Sequence, residues 1–596
     1  MQDTINHLLE QAISKFPESV ALQERHHTGW TTLSYSALGK TIAELGTGLI
    51  SLGVRPGENI GLFINKGCNW LISDFAILGS GGVDVPRGND LALDELTYIA
   101  NHAEVKIAIT DMSPDTIPIL KKEAPTIGYI IYSGDKTPPE VKGLITWEEV
   151  RLKGKELLSN GDKTFFERAN TARENDLATI VYTSGTTGRP KGVMLTHGNI
   201  AKNVGSVLKC IPVYPGERFL SLLPPYHMFE RIIEYVALSN GATLIFSDPH
   251  HFRKDLSAQQ PNFIAGVPRL WEIFYQGVMD RLKKEKYYKL ISLLLTASKN
   301  FIKSRRFMYL PLHLLADRLI YKTVRNNLGG ELRIAVSGGG SLPIHLDDFF
   351  EMIGVTLLNG YGLTETSPVL TIRRPEANIK GSAGRPIPET EIKILTETEE
   401  PVPPGKAGII WVKGPQVMQG YFKDKEATDK VLKNGWLNTG DLGMLTPQGD
   451  LIITGRAKDT IVLLSGENVE PEPIETSLAL SPFISQAMLV GQDRKYPGAL
   501  IVPHIQVIKD YAHEHNIPYS DSNQLVQHPE IIQLIKNEMD RLHNKKESAK
   551  PWAKIIRFRL IPEEWTTQSG LLTFTLKKKR TAIAANFQEE IEDLYR

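Results

Sequence analysis

Cysteine is nearly absent from this sequence: 596 residues carry only Cys68 and Cys210. That excludes a disulfide framework, and neither residue lies in a CxxC or Cys/His metal pattern. A reducing compartment fits such usage. Net charge is missing as well. Lysine plus arginine equals aspartate plus glutamate at 68 each, so no global field recruits nucleic acid or an anionic membrane, and any such contact must be local. No uncharged run reaches the roughly 20 residues that a spanning helix requires. Residues 1–15 carry Asp3 and Glu10 and lack a basic region followed by an apolar run; they read as an amphipathic helix, not a secretory signal. The expected location is cytoplasmic, with peripheral contact at the inner face of the membrane as the sharper alternative.

What is present points to an α/β chain of several subdomains, since 596 residues exceed what one core usually serves. Leu38, Ile42, Leu45, Leu49 and Leu52 form a helical stripe, residues 60–64 a strand and 70–78 a helix. Residues 83–86 and 107–110 repeat the strand pattern around a helix at 93–102, which is βαβ grammar for a parallel sheet. Residues 114–174 are less regular and read as a surface excursion. Residues 280–327 are basic and apolar together. They read as a helical insertion, or more sharply as a monotopic membrane contact.

Three clusters carry chemistry. The first joins Thr183, Ser184, Gly185, Thr186, Thr187, Gly188 and Lys191 between two apolar strands. Its glycines let backbone amides approach phosphate oxygens, its hydroxyls donate, and Lys191 adds charge. The spacing departs from GxxxxGK[ST], so it is not the loop that opens a helix in that motif. The second joins Gly338, Gly339 and Gly340 after a strand with Asn359, Gly360, Tyr361, Thr364 and Glu365. Together these offer room for a flat ring, an aromatic face and a hard oxygen ligand, as an Mg-nucleotide requires. The third places Asp441 and Arg456 beside short strands, where a carboxylate can accept from both hydroxyls of a ribose; a mutual salt bridge is the alternative.

The order and approximate spacing of the phosphate loop, residues 361–365, 435–441 and 454–459 resemble the adenylate-forming enzymes, from about residue 33 to 580. Within them the chain is similar to long-chain fatty acyl-CoA synthetases. Asp84-Val85-Pro86-Arg87-Gly88 and His227-Met228-Phe229-Glu230-Arg231 match bacterial long-chain ligases, and some acyl-acyl-carrier-protein synthetases share them. The resemblance implies a large N-terminal AMP-binding domain of layered sheets and helices, residues 1–457. A small mobile α+β C-terminal domain, 458–596, would follow a hinge near Lys458. It also implies adenylation of a long-chain fatty acid to acyl-AMP and pyrophosphate, then thioester formation with coenzyme A, or alternatively with acyl carrier protein.

By the same resemblance, the 183–191 loop cradles the β- and γ-phosphates of ATP, Thr183 and Glu365 hold Mg2+, and Tyr361 stacks on adenine beside residues 338–340. Asp441 and Arg456 bind ribose and phosphate, and His227 faces the acyl carbonyl. The family's late lysine aligns on Thr575 as Lys577, with Phe574 replacing a proline and with Lys578 and Lys579 as register alternatives. Arg231 stands where one long-chain subgroup carries a gating tryptophan, and a basic residue there suggests contact with an acidic carrier protein. A nucleotide- and lipid-binding sensor is the non-enzymatic alternative, and an amino acid adenylation enzyme a third. Oligomeric state is open, a homodimer being one option.

Overall fold

Four-residue runs, mainly apolar, become fully buried strands here, because parallel sheets are covered on both faces. Val83–Pro86, Ile107–Thr110, Phe263–Gly266 and Ile334–Ser337 are buried throughout. The computed structural model describes residues 4–26, 29–88, 91–183, 189–248, 250–304, 306–546, 549–573 and 577–596. Residues 184–188 of the phosphate loop and 574–576 of the late lysine loop lie outside these. The chain divides into two compact units.

The first unit comprises Met1–Gly339, Ile344–Ile392 and Trp411–Asn438. It holds two large sheets. In the nine-stranded one, Phe263–Gly266, Ile334–Ser337 and Thr356–Gly362 run parallel with Gly266, Ser337 and Asn359 in register. In the eight-stranded one, Val83–Pro86 lies beside Leu177–Thr183, which turns back antiparallel through Lys191–Thr196. The helices foreseen at 38–52, 70–78 and 93–102 are Tyr35–Ser51, Cys68–Gly79 and Leu93–His102. The amphipathic start is Ile5–Lys15, capped by Thr4, whose side chain accepts from the His7 N–H.

Residues 114–174 correct the sequence reading. They are not an excursion: Tyr129–Tyr132 and Leu144–Thr146 extend the eight-stranded sheet in parallel register, and Trp147 and Phe165 are buried. Residues 280–327 are helical as expected, built from the end of Pro268–Lys283 followed by Tyr288–Ser304, Leu310–Ala316 and Lys322–Asn327. No described helix is long and apolar enough to cross a membrane.

The second unit comprises Gly340–Pro343, Lys393–Ile410 and Thr439–Arg596. Its three-stranded sheet pairs Ile484–Val490 with Gly498–Pro503 and Arg557–Leu560. Period-two alternation divides its residues between two cores. Ala487, Leu489, Ala499 and Ile501 point into a helical core with Ile474, Ile508 and Ile535. Met488, Leu500 and Val502 point into another with Trp565, Leu572 and Ile583.

Candidate active site

The carboxyl ends of the parallel strands gather the central cluster, the usual ligand edge of an open α/β sheet. Gly266 and Ser337 end their strands beside Asn359, the last position of Thr356–Gly362 in parallel register. Gly339 takes φ +76°, where a side chain would be strained, and a Cβ on Gly338 would stand 2.8 Å from the Phe229 ring. The ring lying against Gly338 is therefore the protein's own. Phe229 belongs to helix Met228–Ser239, whose N-cap is His227. The His227 N–H donates to the Pro224 carbonyl at 3.1 Å, and its ring lies 4.8 Å from that of Tyr226. His227 and the 338–339 turn thus meet through one short segment. Asn359 is committed structurally, its amide donating to the Ser382 carbonyl at 3.1 Å. Tyr361 follows half-buried opposite Thr371.

The phosphate loop is closed by an antiparallel pair, Thr183 opposite Lys191. The segment Gly420–Tyr421 adds to the far side of Lys191–Thr196, with Tyr421 opposite Val193. Lys191 Nζ sits 5.2 Å from the Tyr421 ring centre, and the Tyr421 hydroxyl donates to Glu365 Oε1 at 2.9 Å. Burial and the Glu365 charge together raise the Tyr421 pKa, so it stays a donor. Glu365 is further fixed through its backbone, which accepts the Met418 N–H at 2.9 Å.

The turn carrying Glu365 is tightly knotted. The Thr366 hydroxyl donates to the Pro368 carbonyl at 2.6 Å, Leu363 N–H reaches Thr366 Oγ1 at 3.1 Å, and a Cβ on Gly362 would come 1.9 Å from the Pro368 oxygen. Thr364 opens this turn, its carbonyl accepting the Ser367 N–H at 3.2 Å. Gly360 lies one strand position before Tyr361, opposite Ile372. A magnesium ion fits here, because it takes hard oxygens and shares them with phosphate and water instead of needing a protein cage. Among the described residues no cluster of three or more His, Cys, Asp and Glu forms such a cage.

Arg231 overturns one expectation. It is fully buried, so it neither gates an entry nor meets a carrier protein. Its guanidinium pairs with Asp74 and, at 2.7 Å, with Asp84. It also donates to Tyr235 at 2.8 Å and to Thr179 at 3.1 Å. Nearby, Lys66 donates to the Leu222 carbonyl at 2.6 Å, and Glu230 accepts the Leu222 N–H at 3.2 Å. Burial raises the pKa of Asp74, Asp84, Glu230 and Glu234 against the pull of the cations. Burial likewise lowers that of Lys66. The node ties the helix behind His227 to the strand leading into the phosphate loop.

In the second unit, Asp441 and Arg456 face each other across antiparallel strands, with Arg456 Nε 3.3 Å from Asp441 Oδ1. Both readings of this pair therefore remain geometrically compatible. Gly340 precedes Ser341, whose hydroxyl donates to Glu472 at 2.6 Å. Lys577 closes its loop through its carbonyl, which accepts the Thr573 N–H at 2.8 Å. Its side chain remains accessible, yet surrounding protein displaces enough water to lower its pKa. Arg456 and Lys458 lower it further, while Asp441 and Glu472 oppose them. Lys458 is lowered likewise, by burial and then by Arg456. Lys578 turns the other way, to the buried Glu475 and, at 2.7 Å, the Ala487 carbonyl. Arg580 joins it on Glu475 at 2.7 Å.

Tyr421 escaped the sequence reading. It lies in a two-residue strand with no motif around it, and only the pairing of distant segments brings it to Glu365.

A strand pair closing a phosphate-type loop and a fixed carboxylate in the first unit, and a late lysine in the second, are parts that an adenylate-forming class of enzyme uses. The AMP-binding enzyme family model matches residues 9–422 and the AMP-binding enzyme C-terminal domain residues 458–596; the chain belongs to this family. It is 36% identical to a long-chain-fatty-acid–[acyl-carrier-protein] ligase of Arabidopsis thaliana over 98% of this chain and 85% of the relative. It is 30% identical to the long-chain-fatty-acid–CoA ligase FadD15 of Mycobacterium tuberculosis, over 97% and 95%. Among solved structures, Bacillus subtilis o-succinylbenzoate CoA synthetase with ATP and magnesium aligns at TM-score 0.66 and 21% identity, over 93% and 95%. That level of likeness establishes the fold.

Proposed function

We propose that the chain activates a long-chain fatty acid with ATP and Mg2+ and transfers the acyl group to coenzyme A. A carboxylate resists thiol attack because its charge is delocalised and hydroxide is a poor leaving group. Attack of the carboxylate oxygen on the α-phosphorus expels pyrophosphate and yields acyl-AMP. Thiol sulfur then attacks the carbonyl carbon, its proton passes to solvent, and AMP leaves with the electron pair of the broken C–O bond.

The arrangement of Glu365, Tyr421 and Lys191 beside the closed base of the phosphate loop carries this reading. Lys191 neutralises phosphate charge, and Thr183 and Glu365 supply oxygens for the metal, which spreads charge over the phosphate oxygens when bound. Tyr421 holds the Glu365 carboxylate in one orientation. Lys577 offers its ammonium to the carboxylate and α-phosphate, a reading supported by the commitment of Lys578 to Glu475. Asp441 and Arg456 take ribose and phosphate, Tyr361 the adenine face, and His227 the acyl carbonyl. Lys458 serves as the hinge.

A second acceptor, acyl carrier protein, is favoured by one observation, the acceptor of the relative at 36% identity. The experiment that separates them supplies ATP, magnesium and a long-chain acid with either coenzyme A or holo acyl carrier protein. Thioester on coenzyme A supports the first reading, thioester on the protein alone the second. The location that accompanies this function is cytoplasmic, with peripheral membrane contact through residues 280–327.

A further inference from the structure

Helices that pack on a protein body bury one stripe and show water a polar one. Residues 307–327 bury one apolar stripe, Ala316, Ile320, Tyr321 and Val324, and carry a second that faces outward. Phe307, Met308, Leu314, Leu315 and Leu319 recur at helical spacing and are 83%, 69%, 58%, 42% and 57% exposed. Pro311, Arg318 and Lys322 lie exposed on the same face. A contiguous exposed apolar stripe of this kind marks a surface with a partner.

The charges around it select the partner. Residues 280–327 hold twelve lysines and arginines against three acids in a chain of zero net charge. Of those acids, Asp280 is within 3.3 Å of Lys283 and Asp317 within 2.6 Å of Arg325. The outward face is thus apolar with a rim of one sign, Arg306, Arg318 and Lys322. A second copy of the chain, docked face to face, would set cation against cation. Phosphate headgroups above acyl chains complement both features.

We propose that the 306–322 helix face docks in the plane of an anionic bilayer, Phe307, Met308 and Leu319 entering the acyl boundary while Arg318 and Lys322 meet lipid phosphates. This rests on the peripheral-contact reading above and specifies its site and lipid. It places the enzyme on the phase in which long-chain fatty acids dissolve.

The test is sedimentation of the full chain with phosphatidylcholine vesicles and with vesicles containing phosphatidylglycerol. Two variants accompany it, Phe307→Ser/Met308→Ser/Leu319→Ser and Arg318→Glu/Lys322→Glu, each checked for an unchanged melting temperature and unchanged pyrophosphate release without vesicles. The expected result is salt-sensitive binding to anionic vesicles, weakened about tenfold or more by neutral lipid and by either variant. Anionic binding that survives both variants overturns this face while leaving peripheral contact standing. No binding to any vesicle overturns both. A dimer in solution that the apolar variant splits overturns the lipid as occupant.

Discussion

Deleting one oxygen from Tyr421 removes the hydrogen bond that orients Glu365 while leaving the ring beside Lys191. A hydrogen bond to a charged group contributes about 1.5–3 kcal/mol. Tyr421→Phe should therefore cut kcat/KM for pyrophosphate release by roughly ten- to hundredfold, with a loss of stability no larger than that bond contributes. Unchanged turnover in that variant would remove Tyr421 from the site. Arg231 makes the opposite prediction. Arg231→Leu strands Asp74 and Asp84 in the interior, which costs about 3–5 kcal/mol of stability. Thermal unfolding should show it, and the acceptor preference of whatever folds should not change. Glu365 was singled out by the resemblance of residues 361–365 to the adenylate-forming enzymes, since such a loop taken alone is most often a tight turn. The burial of Arg231 was not, because its two carboxylate partners lie some 150 residues upstream and only the folded sheet brings them to it.

At the scale of elements, the lysine-rich end of the chain sorts by direction. Lys578 and Arg580 converge on buried Glu475, whose pKa they hold down against the opposing effect of burial. Lys577→Ala should abolish acid-dependent pyrophosphate release without altering thermal unfolding. Lys578→Ala should lower the melting temperature instead. If the two phenotypes exchange, the register is wrong by one residue.

Helix His197–Cys210 predicts a pH effect. Its first residue is buried, and burial lowers the His197 pKa from 6.5 to about 4, with Arg231 adding to and Asp176 opposing that shift. Above pH 6.5 the imidazole is neutral in both states. As pH falls toward 4 the unfolded chain gains a proton that the fold rejects, a loss of ~3 kcal/mol. Replacing it with Asn should flatten the acid side of the stability profile relative to wild type, and a parallel profile would contradict this. The strands 83–86 and 107–110 could be read directly because short, mainly apolar runs flanking a helical stripe have one use in a parallel sheet. Tyr129–Tyr132 and Leu144–Thr146 could not, being short, partly exposed and separated by Pro138 and Pro139.

For the whole molecule, the expected domain boundary and the division into compact units do not coincide. The sequence places the boundary at Lys458, whereas compactness assigns residues 439–457 and two earlier segments to the second unit. With Lys458 as the hinge, Lys458→Pro should preserve acid-dependent pyrophosphate release and block thioester formation; normal thioester turnover would contradict a hinge there. The central claim, that this chain adenylates fatty acids, is tested most directly by Mg2+- and ATP-dependent pyrophosphate release across a saturated fatty-acid series. Release should require the acid, rise for long chains and vanish in Glu365→Ala. Folded, ATP-binding protein that releases no pyrophosphate with any fatty acid would contradict it.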